Sequence, residues 1–489
     1  MRKAFSRQTR LDCQTVSDVQ VNVQCRDEIV PILRALQHIY SQPQLRDAIL
    51  HLVAQDVNAK SRADVGREGM DYWQIVVLAA VRLGCNLNYD KLQDLAEQHR
   101  ALRHIMGIGD WHDKTDFGWR RIRENVCLLS RATVEKISHL LVGEGHRLNP
   151  DAATKTRADS FVVETNIHYP SESSLMADGV RVIIQLCVQL STVFGLDGWR
   201  QHEHLLSRVK QTARNIQRIS SRKGPHYKKR LKKQYRILLK RTNKIVQRAC
   251  CLRDELLQLP LNESTLMQID RLTTFIERTQ QVCNTAHRRV LKGEKVPNKD
   301  KLFSIFEPHT QLYKRGKAGK LVQFGRLALV YEDAAGFITH HHVLPRDAQD
   351  QDVVVEQTRI VQERLGGRIE EASFDCGFNS PQNQRGLAEI IKHPCLPKPG
   401  AKQSIEQRAN ASVRFHQARR RHAGIESAIG ALQAGNGLKR CRDRSELGFE
   451  RYVALAVLGR NLHTLGKLLI AREDAECQAA ASKRKRVAA

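Results

Sequence analysis

The chain has 489 residues, enough for two to four domains and a sizeable core, and its apolar share of 41% is ordinary for a globular protein. Its charge is not ordinary: 80 Lys plus Arg against 52 Asp plus Glu leave +28, which favours a polyanionic partner, either nucleic acid or an acidic membrane face. Membrane spanning is not expected, because no run of 18 apolar residues exists and the best stretch, Ile75–Leu83, is short and broken by Arg82. The start, MRKAFSRQTRLDCQ, lacks the apolar core of a signal peptide. The 12 cysteines are scattered with no C-x-x-C pair, so zinc-ligand spacing is absent and they read as reduced thiols of a cytoplasmic protein.

Residues 1–150 read as helical. DYWQIVVLAAVRLGCNLNYDKLQDLAEQHRALRHIMGIG carries apolar residues at helical spacing, with a turn at Gly84–Asn88 and a stop at Gly107. Helix, turn, helix is one way to present a helix to a DNA groove, and it is also how helical bundles are built. The pattern then changes: RADSFVVETNI, 157–167, is β-prone and carries Asp159 near its start.

A helical pattern returns over 186–300, with lopsided charge. Between Gln201 and Cys250 stand 16 Lys plus Arg and a single acid, Glu203, a net of +15. The densest part, 222–248, also spaces Leu231, Tyr235, Leu238, Leu239 and Val246 at roughly helical intervals. An amphipathic basic helix that tracks phosphates fits this better than a solvated tail.

Beyond Ser304, LVQFGRLALVYEDAAGFITHHHVLP predicts a β-hairpin turning at Glu332–Gly336. His340, His341 and His342 are neighbours on its second strand and face alternate sides, so they cannot share one metal and read as structural. Next are expected a helix capped by Asp350 or Asp352 and ending at Gly366, and a strand RIEEASF ending at Asp375. A helix over PQNQRGLAEIIK, a short strand at HPCLPKP, one long helix through ARRRHAGIESAIGALQ and a closing amphipathic helix YVALAVLGRNLHTLGKLLIA follow. The tail ASKRKRVAA reads as a solvated basic run.

Within ASFDCGFNSPQ, Asp375 sits at the mouth of a strand where Gly377 supplies backbone freedom and Phe378 an anchor to the core. An isolated Asp-x-Gly turn is usually only a turn. The order of elements gives it company. With the basic insert set aside, strand, two-stranded hairpin, helix, strand, helix, strand, helix is the order of an RNase H-like fold. In that fold the first and fourth strands lie side by side, which would gather Asp159, Asp375 and Glu426 at one sheet edge. Three carboxylates in one cleft repel unless cations sit between them. Mg2+ or Mn2+ suits oxygen donors, and two such ions roughly 4 Å apart would clamp an in-line phosphoryl transfer.

Several blocks resemble, in order, the DDE insertion-sequence transposases of bacteria, in particular the ISNCY-like group, and the resemblance covers nearly the whole chain. They are REGMDYWQIVVLAAVRLGCNLNYDKLQDLAEQHRALRHIMG, RADSFVVETNIHYPSESSLMADGVRV, SIFEPHTQLYKRGKAGKLVQFG, SFDCGFNSPQNQ and RRRHAGIESAIGALQAGNGLKRC. The resemblance implies an all-α DNA-binding region over 1–150 and an RNase H-like α/β catalytic domain, a mixed five-stranded sheet with flanking helices, split between 151–185 and 301–470. It also implies a basic helical insertion over 186–300 and a basic tail over 471–489.

Asp159, Asp375 and Glu426 would be both the catalytic residues and the ligands of two Mg2+ or Mn2+ ions. The related enzymes often show Tyr, two residues, Arg, three residues, Glu, six residues, Lys; those positions here hold Arg419, His422 and Gln433. The phosphate-gripping roles then pass to Arg420, Arg421, His422 or Lys439. Lys228, Lys229, Arg230, Lys232, Lys233, Arg236, Lys240 and Arg241 of the insert would hold DNA.

The implied activity is metal-dependent cleavage of element ends and strand transfer into target DNA. The implied partners are double-stranded DNA, both terminal inverted repeats and target, and at least a second copy of the chain. No membrane partner is expected, and the location is the bacterial cytoplasm, at the nucleoid. Two other readings keep the same fold: a catalytically silent DNA-binding protein, and a nuclease that only hydrolyses.

Overall fold

The computed structural model of the chain describes residues 2–5, 13–60, 69–110, 112–314 and 321–487. The signal-peptide reading therefore falls partly outside the described residues, as does the RGKAGK stretch at 315–320. The chain forms two compact units, one of 1–164 with 326–489 and one of 165–325.

The first unit begins with helices α1 (Ile29–Ser41), α2 (Pro43–Lys60), α3 (Tyr72–Gly84), α4 (Tyr89–Gln98), α5 (Arg100–Ile105), α6 (Trp119–Val126) and α7 (Arg131–Leu148). Their starts follow local chemistry. Asp71 and Gln74 form a capping box on α3, and the Asn88 and Ser130 side chains accept N–H bonds at the heads of α4 and α7. Helix α3 is buried almost all round, which explains why Arg82 is the sole charge in its otherwise apolar sequence.

The sheet is mixed. Strands β1 (Lys155–Thr165), β2 (Gln311–Tyr313), β3 (Gln323–Asp333), β4 (Ile338–Val343), β5 (Glu371–Phe374), β6 (His393–Cys395) and β7 (Arg440–Cys441) take part. The hydrogen-bonded path within the first unit runs β4–β3–β1–β5–β6, with β7 also on β1, while β2 pairs with residues 323–325 of β3. The expected hairpin is present: β3 and β4 are antiparallel, and Gly336 takes φ +87° in their turn. The first and fourth expected strands, β1 and β5, are adjacent and parallel, and β5 is parallel to β6.

Helices α12 (Asp350–Arg364) and α13 (Pro381–Ile390) lie in sequence on either side of β5. The cap of α12 is Gln349, one residue earlier than expected, and Asp352 accepts its N–H at 2.8 Å. Helix α14 (Ala401–Ala409) follows β6 and was not legible from the pattern. The single helix expected over 418–433 is two, α15 (Val413–His422) and α16 (Ile425–Ala434), broken at Ala423 and Gly424. A Cβ on Gly424 would fall 2.2 Å from the Arg157 Nη1, so the chain needs a bare backbone there.

The closing helix α17 (Glu446–Val487) outruns its expected end and takes in much of the basic tail. It packs on α1, α3 and α7 with its apolar face in the core. Two of its glycines sit against main chain: a Cβ on Gly459 would lie 2.6 Å from the Gly84 nitrogen, and one on Gly466 would lie 1.8 Å from the Pro31 carbonyl.

The second unit is built on α8 (Glu172–Phe194), α9 (His202–Arg222), α10 (Tyr227–Leu256) and α11 (Glu263–Ala286), with a π-turn continuing α11 over His287–Lys292. Its core includes Tyr235, Leu238, Leu239 and Val246, the residues spaced beneath the charge, with Leu231 partly buried at its edge. Helices α8 and α17 are long and apolar enough on average to cross a membrane, and half and two-thirds of those windows are buried inside the protein.

Candidate active site

Strand register sets this site. In the parallel β1–β5 ladder Arg157 pairs with Ser373 and Ala158 with Phe374, the last pair; the residue after each is an aspartate, Asp159 within β1 and Asp375 just beyond the end of β5. Register-matched residues of parallel strands point to the same face, and side chains alternate along a strand. Arg157, Asp159 and Ser373 therefore share one face, and Asp375, its backbone still extended where the chain leaves β5, follows on the strand beside that of Asp159.

Asp375 is exposed where β5 ends, and Asp159 is half-buried in mid-strand. The Asp375 Oδ1 accepts the Cys376 N–H at 2.7 Å and so caps the turn Cys376–Phe378. Phe378 anchors that turn, buried against Phe374 with ring centroids 6.1 Å apart. Gly377 has no comparable duty, since the nearest atom a Cβ would meet, Asp375 Oδ2, is 3.9 Å away. The exposed Cys376 thiol is held in its neutral form by partial burial first and the Asp375 carboxylate second.

The break between α15 and α16 lies over this face. Arg157 donates from Nε to Glu332 Oε2 at 2.5 Å and from Nη1 to the Arg421 carbonyl at 2.8 Å. Arg421 turns back to the Glu371 carboxylate at the start of β5. His422 lies against Ser373, Nδ1 to Oγ 3.3 Å. Two residues past Gly424, the exposed Glu426 opens the first turn of α16, where a negative charge complements the helix dipole. Burial pushes the His422 pKa down, and the carboxylates of Asp375 and Glu426 both pull it up. One imidazole thus feels two of the three sequence-predicted acids.

The donor set, two aspartates on adjacent strands with a glutamate on the covering helix, suits a hard divalent cation in its chemistry. Among the described residues, however, no three His, Cys, Asp or Glu side chains stand close enough to form one metal-holding group. Like charges repel, so three carboxylates draw together only around a cation.

The proposed phosphate-gripping residues divide. Arg420 and Lys439 are exposed, whereas Arg421 is engaged with Glu371 and His422 is largely enclosed. Arg157 escaped notice in the sequence, although it stands two residues before Asp159, the strand spacing that puts two side chains on one face. In the second unit, Lys228, Lys229, Arg230, Lys232, Lys233, Arg236 and Lys240 are all exposed on α10. Arg241 is half-buried and ties α10 to α9 by donating to the Arg208 carbonyl at 2.9 Å and to Thr212 Oγ1 at 2.5 Å. The three strand histidines are structural in placement. His340 bonds Gln357 at 2.8 Å and His341 stands 3.3 Å from Glu135.

No protein family, no curated protein and no solved structure matches the chain at a significant level.

Proposed function

We propose that the chain is a DNA transposase of the DDE type with an RNase H-like catalytic domain, similar to the ISNCY-like insertion-sequence enzymes that its motifs resemble. The observation that carries the reading is the parallel β1–β5 ladder, whose final pair, Ala158 and Phe374, immediately precedes Asp159 and Asp375. The strand path β4–β3–β1–β5–β6 supports it, because the hairpin, first strand, fourth strand and fifth strand follow in the order of an RNase H-like sheet. Glu426, beside the helix break packed on Arg157, is the third acid.

In this reading Asp159, Asp375 and Glu426 would hold two Mg2+ or Mn2+ ions. When bound, these would supply positive charge and Lewis acidity at the phosphate under attack. The chain's own residues supply position. Asp159 and Asp375 are fixed by their strands, and Glu426 by the α15–α16 break. Water attacks phosphorus at each element end and the P–O3′ bond breaks, leaving a free 3′-hydroxyl. That hydroxyl then attacks a target phosphodiester, one P–O bond forming as another breaks, so joining needs no added energy source. Exposed basic residues of α9 and α10 hold DNA by its phosphates. Joining two ends to one target calls for at least two copies of the chain, acting at the bacterial nucleoid.

The test is strand transfer of a cognate end by Asp375→Asn and Glu426→Gln proteins, with nicked and joined products scored separately. Near wild-type joining by either variant in Mg2+ would sink the assignment. Nicking without joining by the unaltered protein would point to a hydrolytic nuclease.

A further inference from the structure

The second unit holds a cavity of about 370 Å3, within the range of ligand pockets. Its walls are apolar where Leu175, Ile216 and Val282 line it, and aromatic where Tyr169 and Phe324 do. Tyr169 is 78% exposed, an unusual placing for so large a ring. It stands edge-on to Phe324 at 5.6 Å, and Phe324 in turn packs at 5.6 Å on the buried Phe303. Arg289 and Glu172 of its wall form an ion pair, with Nη2 donating to Oε2 at 2.7 Å and Nε standing 2.7 Å from Oε1, and Lys301 adds a positive charge to the same wall.

A second cavity, of about 240 Å3, shares Gln217 with the first and takes His168, the neighbour of Tyr169, into its wall. This one is cationic. Arg181, Lys210 and Arg214 line it against a single acid, Asp178, which is already engaged with His168 at 3.5 Å and Arg181 at 3.8 Å. Lys210 and Arg214 are exposed on α9 and have no hydrogen-bond or ion-pair partner among the described residues. A pocket walled by aromatic rings beside a more strongly cationic one matches the two halves of a nucleotide. Stacking rings accept any base, and free cations accept its phosphate.

We propose that the second unit binds one unpaired nucleotide of a DNA strand, its base stacked on Tyr169 in the larger cavity and its phosphate held by Lys210 and Arg214 in the smaller. The proposal rests on the reading that DNA is the substrate. It goes beyond that reading by assigning the unit recognition of a distorted strand, where an extended basic face alone would hold any duplex.

The experiment uses the full chain and two DNAs of one sequence. One is fully paired; the other carries a single bulged 2-aminopurine, whose fluorescence reports stacking. The expected result is about tenfold tighter binding of the bulged DNA, with a change in 2-aminopurine emission. Tyr169→Ala should abolish both, Tyr169→Phe should keep both, and Lys210→Gln with Arg214→Gln should lower the preference. Since Tyr169 is exposed, its variants should melt as the wild type does.

Equal binding of the two DNAs by the unaltered chain would overturn the pocket and leave the DNA reading standing, and so would an equal loss on both DNAs in Tyr169→Ala. Failure to bind either DNA would overturn both. Deoxyadenosine monophosphate serves as the last arm. Displacement of the bulged DNA at micromolar concentration would assign the site to a free nucleotide and overturn recognition within a strand.

Discussion

Arg82 and Asp443 are joined by two hydrogen bonds, from Nη1 to Oδ2 at 3.2 Å and from Nη2 to Oδ1 at 2.5 Å. Both side chains are buried, and the guanidinium also lies 4.0 Å from the Tyr89 ring centroid. The charge that interrupts the apolar run of α3 therefore faces inward and fastens that helix to the segment leading into α17. Removing one partner strands the other in a medium that cannot solvate it. Asp443→Leu should cost about 3–5 kcal/mol in urea unfolding, and Arg82→Met with Asp443→Leu should cost less than the two single changes summed.

The carboxylates make a sharper prediction. Asp159→Asn and Asp375→Asn remove charge without changing shape, so thermal stability should hold while strand transfer falls by roughly a hundredfold or more. Arg157→Met, by contrast, releases Glu332 and the Arg421 carbonyl together and should lower both stability and joining. A melting curve beside a joining assay separates the two classes.

Much of this layout is legible before any coordinates. A run of Leu, Val and Tyr residues betrays the hairpin, and the order of strands and helices predicts the adjacency of β1 and β5 that the sheet shows. The α15–α16 break was missed because Ala and Gly sit comfortably in a helical apolar pattern. The partner at the break is Arg157, far away in sequence, whose Nη1 donates to the Arg421 carbonyl and lies where a Cβ on Gly424 would be. Helix α14 escaped for the opposite reason, since its sequence AKQSIEQRA offers no long apolar stripe to read. The double duty of Arg241 was also hidden, because a run of cations gives no hint which of them points into a neighbouring helix.

On the basic helices the expected effect is one of salt dependence. Replacing Lys228, Lys229, Lys232 and Lys233 with Ala should flatten the slope of log K against log salt by about one for each phosphate no longer neutralised, with little change in melting. Arg241→Ala should instead lower the melting temperature, because it unties α10 from α9. Binding isotherms at several salt concentrations, beside thermal melts, distinguish these outcomes.

Acid should loosen the first unit. Burial first, then the Arg131 cation, holds the His341 pKa at about 3, and burial with Arg364 holds His139 at about 4. Each folded-state value lies below the ordinary 6.5, so the unfolded chain takes up protons that the folded one refuses. The stability they contribute is present above about pH 6.5 and is lost as pH falls through that value toward 4 and 3. His341→Gln should shrink this acid limb, as read from denaturation midpoints between pH 7 and 4.

Helix α17 touches α3 and α1 main chain to main chain at Gly459 and Gly466, with no side chain between. It also follows the whole second unit in chain order, and every residue of that unit is complete once Gly325 has been added. Domains fold as units while the chain grows. The basic helical unit can thus reach its final form while the carboxylate-bearing unit still waits for its closing helix. Synthesis halted before Gly459 would leave the basic helical unit whole while the core behind Asp159, Asp375 and Glu426 stays unfinished.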